Sequence, residues 1–120
     1  MNETPKVYDL EERTFRFAQK AREFLKQIPR TLTNLTDGSQ LSRSSGSIGA
    51  NYIEANESLS KKDYYMRVRI SRKEAKESSY WLKLIEIGDN SRLVAERDWL
   101  VNESIELTHI FGSIISKAEA

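Results

Sequence analysis

No cysteine occurs anywhere in the chain, which removes both a disulfide framework and a thiolate zinc site. Proline appears twice and glycine five times in 120 residues, too rarely for a disordered or all-β chain. A single histidine leaves little for acid–base chemistry near neutral pH. Neither sign of charge dominates, since the formal net charge is +1, so partners must be sought in local clusters of charge. No stretch approaches membrane-spanning length, and "MNETPKVYDLEERT" has no basic-then-apolar run of a signal peptide. A cytoplasmic setting is the expectation. What remains is a chain of single-domain length (1–120) with 38% apolar and 31% charged residues, strongly amphipathic and able to bury one modest core.

The apolar residues keep helical spacing in four segments. In the first, expected over about 9–28, Leu10, Thr14, Phe17, Ala21, Phe24 and Ile28 alternate steps of four and three. Pro29 should stop it, and Phe15, Ala18 and Leu25 widen its stripe. The second, about 37–58, is expected to start at Asp37, with Gln40 three residues on as in a capping box. The third, about 61–87, opens with Ser60 and Asp63 as cap. Its seam runs Tyr64, Val68, Ser71, Ala75, Ser78, Leu82, Ile85, and Gly88 is expected as its terminator. The fourth, about 92–117, is expected after Ser91 as cap, with Leu93, Arg97, Leu100, Ser104, Leu107, Phe111, Ile114 and Ala118 in line. No segment alternates with period two. Long helices and short links predict an all-α, up-down antiparallel four-helix bundle.

The stretch "QLSRSSGSIGANYIEAN", 40–56, looks at first like a phosphate-binding loop. A Walker-type loop needs a preceding strand and a following Lys-Ser/Thr pair, but Ala50 and Asn51 follow Gly49. Leu41, Ser45, Ile48, Tyr52 and Ala55 keep helical register through it. Small residues on a helix allow close approach of another backbone, at roughly 1 kcal/mol of propensity per glycine. Ser45, Gly46, Ile48, Gly49 and Tyr52 are therefore expected at a close helix contact or a subunit interface.

The residues "YDLEERTFRFA" (8–18), "QLSRSSGSIGANYIEANESLSKKDY" (40–64) and "ISRKEAKESSYWLKL" (70–84) resemble the bacterial four helix bundle proteins. That family is encoded in intervening sequences of 23S ribosomal RNA genes. The resemblance spans nearly the whole chain and implies a homopentamer around a central channel. It extends to the accessory protein of diversity-generating retroelements, which is similar in fold and binds nucleic acid and a reverse transcriptase. That branch is strongly basic, whereas this chain is nearly neutral.

Three constellations could carry chemistry. Glu106-x-x-His109 matches half of a ferritin-like metal motif, but a di-iron site needs two such motifs and the chain has one histidine. No metal and no cofactor are expected, and His109 is expected as a partly exposed surface residue. Arg43, Asn51, Glu54 and Glu57 on the second segment, with Arg72, Glu74 and Glu77 on the third, form a polar cluster. Without a converging nucleophile, base and orienting group, Arg43, Asn51, Glu54, Arg72 and Glu77 read as a register-fixing network.

The third constellation is a basic run from Lys61 to Lys76. Lys61, Lys62, Arg69, Lys73 and Lys76 are its candidate nucleic-acid contacts, with Tyr64 and Tyr65 as stacking platforms; Arg67 and Arg72 adjoin the seam and should turn toward neighbouring helices. An acidic run, Glu86 to Glu106, could instead complement the basic one within a bundle or across a subunit boundary.

The expectation is thus a non-enzymatic, homo-oligomeric interaction module, with RNA or an RNA-handling protein as candidate partner. The alternative is a purely structural assembly or stability factor with no nucleic-acid partner. Self-association is expected because the apolar stripes of the first and fourth segments are wider than one seam can bury.

Overall fold

The computed structural model describes residues 6–119, with side chains from Leu10 to Ala118. The two ends of the chain, and the side chains of Tyr8 and Asp9 in the recognised motif, lie outside the described residues. Four helices and no strand occur among these residues: α1 Lys6–Leu25, α2 Leu32–Asn56, α3 Lys61–Leu84 and α4 Ser91–Glu119. None is long and apolar enough to cross a membrane.

Side-chain partners show how the helices run. Glu11, Thr14 and Arg22 of α1 meet Asn56, Gly49 and Ser42 of α2, so numbers rise on one helix as they fall on the other. Ser44, Ile48 and Asn51 of α2 meet Ser78, Ser71 and Arg67 of α3 in the same reversed order. Arg72 lies beside Gly112, and Arg97 reaches the Ile85 carbonyl, which makes α4 antiparallel to α3. Arg13 of α1, and Gln27 in the turn that follows it, bond to Glu103 and Glu96 of α4, closing the ring. Each helix touches its two chain neighbours around the ring and none touches its diagonal partner through its backbone, an arrangement compatible with a four-helix bundle.

The seam residues fill the centre. Phe17, Phe24, Leu41, Ile48, Leu82, Leu100, Leu107 and Phe111 are buried. Tyr52 reaches across the diagonal to Phe111, with ring centroids 5.6 Å apart. Toward the end of α4 the line slips by one residue, for Ile115 is buried while Ile114 is half-buried and Ala118 exposed.

Helix ends differ from expectation in four places, each for a local reason. Near Pro29, α1 stops at Leu25, and Gln27 N–H closes a tighter turn onto the Phe24 carbonyl; the proline disfavours helix in the residue before it as well. The start of α2 lies at Thr31, not Asp37: the Thr31 hydroxyl accepts from Asn34 N–H, and Asp37 and Gln40 sit inside the helix. At the end of α3, Ile85 is extended and Gly88 adopts φ +67° in the following link, so the glycine shapes the loop rather than ending the helix. Asn90, not Ser91, caps α4, its Oδ1 accepting from Arg92 and Leu93 N–H. At α3 the cap is the expected one, with Ser60 accepting from Asp63 N–H.

Asn34 has a second task that no sequence pattern announced. Buried, it donates through Nδ2 to the Pro29 and Glu86 carbonyls at 2.9 and 2.8 Å, and its Oδ1 accepts from Glu86 N–H at 2.9 Å. One side chain thus ties the α1–α2 link to the α3–α4 link. Replacing Asn34 by Ala should cost about 2–3 kcal/mol, near 1 kcal/mol for each net bond lost. Asn34→Asp keeps the acceptor but turns a buried carboxylate oxygen on both carbonyls, so it should cost at least as much as Ala, as read by denaturant unfolding.

Candidate functional site

On a helix turning about 100° per residue, Lys62, Arg69, Lys73 and Lys76 share an arc of roughly 60°, along roughly 21 Å of α3. All four are exposed. Lys61 is also exposed but stands about a quarter turn away, toward the α4 side. The seam-adjoining arginines lean toward neighbouring helices, Arg67 part-buried and Arg72 exposed. Arg67 donates to Asn51 Oδ1 on α2 at 3.0 Å, and Arg72 lies against Gly112 on α4. Tyr64 and Tyr65 pack edge to face, 5.0 Å apart and half-buried, so neither offers a fully open stacking face.

The acids of the α3–α4 link and α4 do not meet that stripe inside the chain. Glu103 pairs with Arg13 on α1, and Glu96 accepts from Gln27. Among the described residues, Lys61, Lys62 and Lys76 carry no ion pair, and Lys73 has only its neighbour Glu74, 3.9 Å away. Ion pairs from these four lysines to the acidic run are therefore absent among the described residues.

The expected polar network separates into two parts. Arg43 Nη2 stands 3.1 Å from Glu77 Oε1 and 3.3 Å from the buried Glu74; only the first contact has hydrogen-bond alignment. Asn51 donates to Ser47 and accepts from Arg67. Arg72 is on the opposite flank of α3, and Glu54 is exposed with no side-chain bond among the described residues, so the structure brings neither into the network. Arg67, set aside as seam-adjoining, takes the place expected for Arg72.

In the serine-glycine stretch, Ser45, Ile48 and Tyr52 are buried within the chain, so their contacts join its own helices. A Cβ on Gly49 would stand 2.8 Å from Thr14 Oγ1, too close for any side chain. Gly46 faces the flexible tip of Arg22, 3.2 Å from where its Cβ would be. Across the other flank of α2, the Ser44 and Ser78 hydroxyls share a bond of 2.8 Å, and Ser71 donates to the Ile48 carbonyl at 2.9 Å. Every buried serine hydroxyl here has a partner, as the interior requires.

A surface concavity of about 790 Å³ was not singled out from sequence. It lies between α1 and α4 and is lined by Glu12, Arg13, Phe15, Arg16, Gln19, Trp99 and Glu103. Arg13 and Glu103 pair bidentately there, at 2.6 and 3.0 Å. Phe15 is 62% exposed and Trp99 41%, with Lys20 Nζ 5.2 Å from the indole centroid. Phe15 was visible in the sequence as a residue widening the α1 stripe; Trp99 was off every seam. No group of three or more His, Asp or Glu lies together among the described residues, and His109 is exposed on α4.

One titrating group is strongly displaced. Burial, then the Tyr64 phenol and Glu11, push the Tyr52 hydroxyl from 10.0 up to about 12, against a lowering bond with Asn56. An unfolded tyrosine loses its proton near 10, whereas the folded one holds it to about 12. The associated stability is therefore complete below pH 10 and disappears as pH rises toward 12. The total is about 3 kcal/mol. Thermal unfolding across that window should show the fall, and Tyr52→Phe should remove most of it.

The model for the 23S rRNA-intervening sequence protein family matches residues 7–108. A solved structure of a protein of unknown function from the S23 ribosomal protein family of Bacteroides thetaiotaomicron is similar over 93% of this chain and 99% of that one. The two share 28% identity at a TM-score of 0.79. Comparison with curated proteins gives no match. With the family model covering the first three helices and more than half of α4, the chain belongs to the 23S rRNA-intervening sequence protein family.

Proposed function

We propose that the chain is a non-enzymatic module that works by self-association, as the pentamer implied by its resemblance, and engages RNA in a cytoplasmic setting. The observation that carries the first half is the α1–α4 groove. Phe15 and Trp99 stand exposed on its two sides, and large aromatics left open beside a paired Arg–carboxylate are the usual composition of a contact surface. A second copy of the chain is its natural occupant, since the surplus apolar width of α1 and α4 is a property of every copy. The one-sided basic stripe of α3 supports the second half. It presents four cations along a single exposed face, of which Lys62 and Lys76 carry no ion pair among the described residues.

The near-neutral total charge favours the second reading, a structural assembly factor without nucleic acid. Repetition of the stripe around an oligomer would offset this, because linked weak sites gain avidity.

Light scattering should give a mass several times the 13.9 kDa of one chain. Trp99→Glu should reduce it to one chain with helicity retained. A single-chain mass for the parent protein contradicts the proposal.

If the stripe contacts about four phosphates, single-stranded RNA binding should weaken with salt at a log-log slope near −3. Replacing Lys62, Lys73 and Lys76 together by Glu should abolish it without unfolding. No binding by the parent at low salt leaves the structural factor as the answer.

A further inference from the structure

A second groove, of about 620 Å³, runs between α3 and the last turns of α4. Arg72 enters it from α3; His109, Ser113, Ser116 and Lys117 enter from α4, and Arg69 borders it. Among the described residues its lining contains no Asp or Glu, whereas the α1–α4 groove sets Glu12 and Glu103 against Arg13 and Arg16. In a chain with 19 cationic and 18 acidic residues, the described lining is one-signed. Among the described residues, neither Arg72 nor Lys117 has an ion-pair partner, and the exposed Ser113 and Ser116 hydroxyls bond to no other side chain or carbonyl.

The floor of the groove is Gly112. A glycine inside a helix gives up roughly 1 kcal/mol relative to alanine. At Gly49 the return is evident, since α1 presses on it. At Gly112 nothing presses: the sole atom within 4 Å of a built Cβ is Arg72 Nε, at 3.7 Å, ordinary contact distance. Alanine would fit, so close helix packing does not require this glycine. Its effect is to keep the space beside the guanidinium open.

The lining also says what the groove does not hold. Among the described residues no Phe, Tyr or Trp borders it, and Ile115 is its one large apolar residue, so a nucleobase would find only the His109 imidazole to stack on. A guanidinium fork, an ammonium and free hydroxyls around an open floor match the oxygens of a phosphate group. Lys117, in the last turn, also offsets the negative end of α4.

We propose that this α3–α4 groove is a phosphate-binding site, with Arg72 as the bidentate donor and Lys117 and the two serines completing the shell. It takes a phosphate or phosphate ester without reading a base. A free phosphorylated ligand and the backbone of an RNA strand share that chemistry. The site is separate from the self-association surface on α1 and α4, and it shares with the basic stripe on α3 only Arg69, at its border.

The test is calorimetric titration at low salt, with inorganic pyrophosphate and with a short single-stranded oligoribonucleotide. The proteins are the parent, the double variant Arg72→Gln/Lys117→Gln, and the stripe variant Lys62→Gln/Lys73→Gln. Pyrophosphate should bind the parent and the stripe variant alike, and at least tenfold more weakly to the double variant. Circular dichroism and mass of all three should be unchanged, which separates loss of the site from loss of fold. Competition between oligoribonucleotide and pyrophosphate, lost in the double variant, would identify a strand backbone as the source. Pyrophosphate binding alone would identify a free phosphate ester. Parent protein that binds neither probe, or a double variant that binds as the parent does, overturns the proposal. A monomeric parent that still binds pyrophosphate counts against self-association and leaves this site standing.

Discussion

The approach of α1 to α2 at Gly49 sets the geometry on which the rest depends. With Thr14 Oγ1 so near that no Cβ could intervene, α2 is drawn against α1 along one flank. Its opposite flank meets α3 through Ser44, Ser78 and Ser71. Small residues on both flanks of one helix bring three backbones close, and large side chains are then confined to the centre. Tyr52 and the phenylalanines fill that centre, reaching across to α4. The serine hydroxyls cost little because each finds a carbonyl or another hydroxyl.

Tight packing around α2 has a counterpart on the other side of the molecule. Where α1 faces α4, long side chains replace small ones; Arg13–Glu103 spans the two helices, and Gln27, just past the end of α1, bonds to Glu96. Such polar contacts at a half-exposed surface contribute modestly. They leave Phe15 and Trp99 standing in a groove. The same sequence thus makes one half of the bundle self-sufficient and the other half incomplete. The proposed self-association would cover that incomplete apolar face.

Much of the fold was legible because a four-three seam constrains burial directly. Leu10, Phe17, Ala21, Phe24, Val68, Ala75, Leu82, Leu100, Leu107 and Phe111 all face inward, and the seam alone gives them. The start of α2 was not legible, because Asp37 and Gln40 imitate a cap that Thr31 and Asn34 form six residues earlier, directly after Pro29. Propensity cannot rank two adequate caps; the loop that Asn34 bridges decides between them.

Among the site residues, sequence reasoning found those whose spacing defines a face. Lys62, Arg69, Lys73 and Lys76 come together, and Arg67 turns inward. It missed residues whose role depends on a neighbouring helix. Trp99 has meaning only opposite Phe15, and Gly112 only opposite Arg72. Arg72 was assigned to the α2 side, yet it points to α4, because a residue flanking a seam can lean either way until the neighbours are known.

Trp99 reports on the central claim most directly. In a Trp81→Phe background it is the chain's one tryptophan, and its emission can be followed with acrylamide quenching as the protein is diluted, beside mass by light scattering. The account predicts a shielded, blue-shifted indole in the assembled protein that becomes red-shifted and quenchable as the mass falls to one chain. An indole equally quenchable at every concentration while the mass changes would contradict the placement of the interface at the α1–α4 groove. A mass of one chain throughout would contradict self-association itself.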